Sequence, residues 1–149
     1  MTPTKTIKTE IKINAPRERV WEVLIKDEYT QQWYTEFCEG SKAETTWEEG
    51  SAAIFTDSNG NGMVTTIAVN RPTEELIIQY EGLMINGKPD YDSPQAKEVK
   101  KGYESYLLDE KNGITTLRTA AAMSEEFFEM TGDAWERAKD KIKQLAEQK

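Results

Sequence analysis

The chain has 149 residues, one domain's worth, and a chain of this length buries roughly 70% of the surface that its unfolded form exposes. Its 27 acidic and 19 basic residues give a formal charge of −8, which repels nucleic acid and anionic lipid at long range. With no histidine and a single cysteine, Cys38, the composition excludes histidine catalysis, an internal disulfide and a zinc site of the usual ligand mix.

The opening "MTPTKTIKTEIKI" alternates polar and apolar residues, which predicts a strand with one wet face and no secretory leader. Ile7, Ile11 and Ile13 share one parity; Lys8, Glu10 and Lys12 take the other. No apolar run approaches the ~20 residues that span a bilayer, so a soluble cytoplasmic protein without membrane insertion is expected. In "NAPRERVWEVLIKD" the period changes to that of a helix, with Pro16 in its first turn, Asn14 or Ala15 at the cap, and Val20, Val23 and Leu24 on the buried side. Asp27 and Glu28 separate it from a second short helix carrying "YTQQWYTEF". If that stretch is helical throughout, Tyr29, Trp33 and Phe37 form one stripe and Tyr34 lies off to the side.

From residue 50 to residue 81 the sequence reads as short strands joined by turns. "SAAIFTD" and "MVTTIAVN" flank "SNGNG", where Gly60 and Gly62 offer the positive φ of a tight hairpin. "NRPTEE" makes the next turn and "LIIQYE" the next strand. Residues 82–101 are the least regular part, with two prolines and two glycines, yet Leu83, Met84, Ile85 and Tyr91 leave a lid and a plain surface loop both open. "YESYLLDE", "KNG" and "ITTLRTAAA" form a last hairpin around Asn112-Gly113. The chain closes on a helix that Ser124 can cap, with Glu125 and Glu126 at the positive end of its dipole and Trp135, Ala138, Ile142 and Leu145 on one face. Gly132 marks a kink, a close backbone approach or a later start of that helix.

Asp57, Asn59, Asn61 and Gly62 match the first half of a calcium-loop pattern, but its twelfth position, which calls for a bidentate glutamate, is Ala68. A metal-free hairpin is the expectation. Cys38 has no neighbour that would lower its pKa, and the doublets Glu48-Glu49, Glu74-Glu75 and Glu125-Glu126 announce no acid/base pair.

The run "INAPRERVWEVLIKDEYTQQWY", the turn in "AVNRPTEELIIQY", the hairpin "YLLDEKNGITTLRTA" and the final helix with Gly132 and Trp135 occur in an order that resembles the START-like helix-grip superfamily, SRPBCC. Within it the order resembles the branch of homologs of the activator of the heat-shock chaperone ATPase. The resemblance covers nearly the whole chain as a single domain, 1–149. It implies an α+β helix-grip fold: a curved antiparallel sheet wrapped around a long C-terminal helix, two short helices after the first strand, and an apolar cavity between sheet and helix. A sheet apolar on one face and a helix apolar along one stripe fit that arrangement, since each buries the other.

On this reading Trp33 and Phe37 stand on the cavity floor. Phe55, Tyr80 and Tyr106 come from three strands, and Phe127, Met130 and Trp135 come from the closing helix. These are the candidate ligand-binding residues, with core packing the alternative for each. The expected function is binding of a small hydrophobic, lipid-like or amphipathic molecule, with no cofactor and no metal. Two alternatives remain: a cyclase or dehydratase using the same cavity through Tyr80, Tyr106 or a buried carboxylate, and a regulator of a heat-shock chaperone. The chaperone partnership is the lesser expectation, because 149 residues leave no room for the separate N-terminal domain of such regulators.

Overall fold

The computed structural model describes residues 4–37 and 40–148, without the side chains of Glu126, Phe127, Glu129 and Met130. Cys38 lies outside the described residues, as do the side chains of the candidate residues Phe127 and Met130. The chain runs β1 (Thr4–Ile13), α1 (Arg17–Ile25), α2 (Asp27–Trp33), a 3₁₀ turn (Tyr34–Glu36), β2 (Lys42–Glu44), β3 (Ala52–Thr56), β4 (Gly62–Arg71) and β5 (Glu75–Ile85). It continues through β6 (Lys88–Asp90), α3 (Pro94–Val99), β7 (Tyr103–Lys111), β8 (Ile114–Ser124) and α4 (Glu125–Glu147).

The strands make one antiparallel sheet in the order β1-β8-β7-β5-β4-β3-β2, with β6 on β5. Two register shifts between β4 and β5, at Val64/Thr65 and Ile67/Val69, add the local bend that curves a sheet. Alternation then sets the faces. Ile7 and Ile13 on β1, Leu76, Ile78 and Tyr80 on β5, and Tyr106 and Leu108 on β7 are buried, while Lys8, Lys12, Leu107 and Asp109 face out. The inner face receives α4 along Trp135, Ala138, Ile142 and Leu145, all buried. Burying an Ile or Leu side chain contributes about 1.5–3 kcal/mol, so this stripe is a main source of stability.

Several local expectations change. Pro16 is the N-cap of α1, with ψ of 157°, and Arg17 is the first helical residue. The residue before a proline avoids the helical region, and here the extended conformation persists through the proline itself. Ser124 does cap α4 by position, but its hydroxyl makes no capping hydrogen bond. The helix α4 runs unbroken through Gly132, where an added Cβ would meet nothing within 4 Å, so the glycine marks neither a helix start nor a close approach.

At "SNGNG" Gly60 alone of the two glycines has positive φ, +79°, while Gly62 already belongs to β4. The turn is held by Asp57, whose Oδ1 accepts the backbone N–H groups of Asn59 at 2.8 Å and Asn61 at 3.1 Å. A Cβ on Gly60 would come within 2.8 Å of the Gly87 nitrogen, because this tip touches the β5–β6 turn. There Gly87 N–H donates to Gly60 O at 2.9 Å and Asn86 N–H donates to Asn61 Oδ1 at 2.9 Å.

Residues 82–101 are therefore neither coil nor detached flap. The alternating burial of β5 continues to Met84, β6 folds back on the end of the strand, and α3 follows with Ser93 Oγ accepting the N–H of Ala96 at 3.1 Å. β4 occupies one side of β5 along its length, so β6 takes the side that β7 leaves after Gln79.

Candidate functional site

Between the inner face of the sheet and α4 lies a cavity of about 510 Å³. The expected residues Trp33, Phe37, Phe55, Tyr80, Tyr106 and Trp135 all line it. Phe55, Tyr80 and Tyr106 come from strands, Trp33 and Trp135 from α2 and α4, and Phe37 from the residue that caps the 3₁₀ turn after α2. The rings touch mostly edge to face: Phe37 on Trp135 with centroids 5.0 Å apart, Trp33 on Tyr106 at 6.4 Å, and Tyr106 on Trp135 at 6.1 Å in a tilted contact. Such pairs add about 0.5–1.5 kcal/mol beyond burial, which fixes the walls. Trp33 is also anchored by its indole N–H, which donates to Val23 O at 2.8 Å.

The aromatic stripe is broken in a way that periodicity does not foresee. A 3₁₀ turn replaces the helix after Trp33 and advances by three residues per turn instead of 3.6. Tyr34 is thereby swung inward, buried against Trp33 at 4.5 Å and Phe55 at 5.8 Å. Tyr29 instead faces Arg19, whose guanidinium lies over its ring at 4.7 Å and donates to its hydroxyl. The same guanidinium donates to Leu145 O at 3.0 Å and Ala146 O at 3.3 Å. Tyr29 thus serves the closing of the C-terminal end of α4 and has no part in the cavity.

Met63, Leu83, Met84, Val99 and Met123 complete the apolar wall. Leu83 to Ile85 and Val99 show that the irregular-looking segment forms part of that wall. Ile85, 46% exposed, and the half-buried Asp57 and Asn61 of the linked hairpin tips mark the mouth.

One polar cluster stands inside this apolar space. Glu104 of β7 opposes Ile78 of β5, so Tyr80, two residues further on β5, is its diagonal neighbour on the same face, and Tyr106 is its neighbour along β7. Tyr80 donates its hydroxyl to Glu104 Oε2 at 2.8 Å and Tyr106 donates to Oε1 at 3.0 Å. Gly102 makes room for this: a Cβ there would lie 2.3 Å from Ala122 O and 2.8 Å from the Tyr80 ring.

Burial pushes the Glu104 carboxyl up from its ordinary value, and the two phenol hydrogen bonds only partly oppose it. Burial, followed by the nearby Glu104 charge, holds Tyr34, Tyr80 and Tyr106 well above the usual phenol range. The phenols therefore remain donors at neutral pH, and the cluster is a carboxyl group oriented by two fixed hydroxyls. Sequence reasoning did not single out Glu104, because "YESYLLDE" carries a mixed set of residues on both parities. The signal available was Leu108: once Tyr106 and Leu108 are assigned to the inner face, Glu104 has to follow.

A second depression of about 400 Å³ lies against Lys8, Glu10, Leu107 and Arg118 on the outer side of the sheet. Glu10 and Arg118 pair across its floor at 2.7 Å with both side chains more than half exposed, an ordinary solvated contact. Among the described residues no cluster of metal-ligating side chains is present, and no helix is long and apolar enough to cross a membrane.

A family model described as "Activator of Hsp90 ATPase homolog 1-like protein" matches residues 14–147. Among solved structures, the protein MLL2253 from Mesorhizobium loti is 15% identical with a TM-score of 0.74, over 95% of this chain and 96% of that one. The Aha1 dimer from Colwellia psychrerythraea is 18% identical with a TM-score of 0.71, over 96% of each chain. CalU16 from Micromonospora echinospora is 18% identical with a TM-score of 0.69, over 97% of this chain and 75% of that one. These likenesses establish the helix-grip fold. No curated protein gives a significant match.

Proposed function

The chain belongs to the Activator of Hsp90 ATPase homolog 1-like family, and from that premise we propose that it binds a small apolar or amphipathic molecule in the cavity between its sheet and α4. The observation that carries this reading is the cavity itself. At about 510 Å³ it falls in the range of ligand pockets, ~300–1,000 Å³, and its wall is aromatic and aliphatic with a few convergent polar groups. Trp33, Phe37, Phe55, Tyr80, Tyr106 and Trp135 are the proposed contacts. Met63, Met84 and Met123 add adaptable surface that accommodates more than one ligand shape.

A second reading is favoured by one feature, Glu104. A carboxyl with a raised pKa in a cleft, hydrogen-bonded to Tyr80 and Tyr106, is equipped to move a proton in a cyclisation or dehydration of a bound molecule. Binding is common to both readings and comes first.

The test is native mass spectrometry of the purified protein for a co-purifying small molecule, followed by thermal shift with a panel of flat aromatics, fatty acids and sterols. A ligand held only by the folded state adds ~2.7 kcal/mol at a hundredfold excess over Kd. Trp33→Leu, which removes the ring and keeps apolar character, is expected to weaken binding beyond its loss of stability. If no compound co-purifies and none shifts the midpoint, the cavity is not a binding site.

A further inference from the structure

Every lysine and arginine of the described residues lies outside the lining of the cavity. The charged side chains in that lining are both acidic: Glu104 inside and Asp57 on the β3–β4 hairpin. Aromatic rings line the same space, and Tyr106, whose hydroxyl is bound to Glu104, touches the rings of both Trp33 and Trp135.

We propose that the Glu104–Tyr80–Tyr106 cluster is a head-group subsite for a cationic hydrogen-bond donor, so that the ligand is an aromatic or aliphatic amine. This rests on the cavity-binding reading and narrows it.

Valence and charge decide which head group the cluster takes. A carboxylate has about four acceptor directions. Tyr80 uses one on Oε2 and Tyr106 one on Oε1, which leaves acceptor capacity on both oxygens. The two phenols already hold the carboxylate in place, so little side-chain ordering remains to be done when a ligand arrives. An ammonium group placed there gains charge-assisted hydrogen bonds in surroundings of low dielectric. A carboxylate ligand meets the opposite conditions: it loses its hydration, finds no cationic partner, and is placed beside Glu104. A neutral hydrocarbon buries the same surface and gains nothing at the head group. The ranking amine, then neutral parent, then acid follows directly, and it separates this cavity from one built for fatty acids.

The experiment uses three probes with one ring system: 1-naphthylmethylamine, 1-methylnaphthalene and 1-naphthoate, titrated into the whole protein near neutral pH by calorimetry. The amine is expected to bind roughly tenfold or more tighter than the parent, and the acid more weakly than the parent. In Glu104→Gln the preference for the amine over the parent disappears. In Tyr80→Phe, which keeps the carboxylate and removes one of the two donors that orient it, the preference is reduced but not abolished. If the parent binds but the amine binds no better in the wild type, the head-group subsite is overturned while the cavity reading stands. Loss of the preference in Tyr80→Phe with its retention in Glu104→Gln overturns the subsite as well. If none of the three binds, the cavity reading fails and the subsite fails with it.

Discussion

The hydroxyl of Tyr80 on β5 donates to Glu104 Oε2 on β7 at 2.8 Å, and this bond ties a carboxyl group into the otherwise apolar inner face of the sheet. Burial raises the Glu104 pKa in spite of its two phenol hydrogen bonds, so holding the charged form at this position costs stability. Keeping a group at a cost in stability is the pattern of sites that bind or react.

That cost has a pH signature. Burial raises the folded-state pKa of Glu104 above its ordinary value of 4.5, so between the two values the folded state holds more protons than the unfolded state. Stability contributed at this position is therefore present below about pH 4.5 and is lost as the pH rises through the folded pKa. Glu104→Gln removes the titration, keeps one tyrosine as donor to its Oε1, and offers its Nε2–H to the hydroxyl oxygen of the other. Denaturant unfolding should show the variant gaining on the wild type from about pH 4.5 upward, with the gap levelling off once Glu104 is fully ionised. A gap that is constant with pH would mean that Glu104 is not buried in this way.

Trp135 is buried between Phe37 and Tyr106 and carries the α4 side of the cavity. Trp135→Ala is expected to destabilise the protein by about 3–5 kcal/mol, the usual cost of truncating a buried tryptophan. Set against a margin of ~5–15 kcal/mol for a small domain, the thermal midpoint should fall sharply. An unchanged midpoint would contradict the packing of α4 on the sheet.

Gly102→Ala places a methyl group 2.3 Å from Ala122 O, a backbone atom that cannot swing aside, and 2.8 Å from the Tyr80 ring. Overpacking of this kind costs about 1–3 kcal/mol. Because the strain falls on the Tyr80 ring, the Tyr80 side-chain NMR signals should shift as well as the denaturant midpoint. A neutral substitution would show that the strand pairing around Gly102 is looser than described.

Arg19 donates to Leu145 O and Ala146 O, satisfying carbonyl groups that the end of a helix leaves open. Arg19→Met keeps most of the packing and loses the donors, at a cost of about 1.5–3 kcal/mol for charge-assisted hydrogen bonds. Amide exchange should quicken in the last turns of α4 and leave the centre of the sheet unaffected. Uniform acceleration would instead indicate a global effect.

Legibility of the sequence followed the strength of the periodic signal. β1, α1, the Asn112-Gly113 hairpin and α4 were readable because each pairs a clear apolar period with a turn or cap residue, and Asn112 and Gly113 do take positive φ of 53° and 80°. The family order then supplied the architecture that periodicity leaves open. Residues 82–101 were not readable, since β6 and α3 are too short to show a period and are held by contacts to β5 and to the Asp57–Asn61 turn. Tyr34 was misplaced because helical spacing was carried through a 3₁₀ turn. Glu104 escaped notice because a charged residue on a strand reads as solvated until a neighbour of the same parity is known to be buried.

The central claim is that the cavity between the sheet and α4 takes up a small apolar molecule. It is tested most directly by following the backbone and tryptophan N–H signals of the isotope-labelled protein by NMR during titration with 1-methylnaphthalene. Occupation of the cavity predicts saturable shifts at Trp33, Tyr80, Tyr106 and Trp135, with Lys8, Glu10 and Arg118 on the opposite side of the sheet unmoved. Shifts confined to that outer side, or no saturable shift at any concentration, would contradict it.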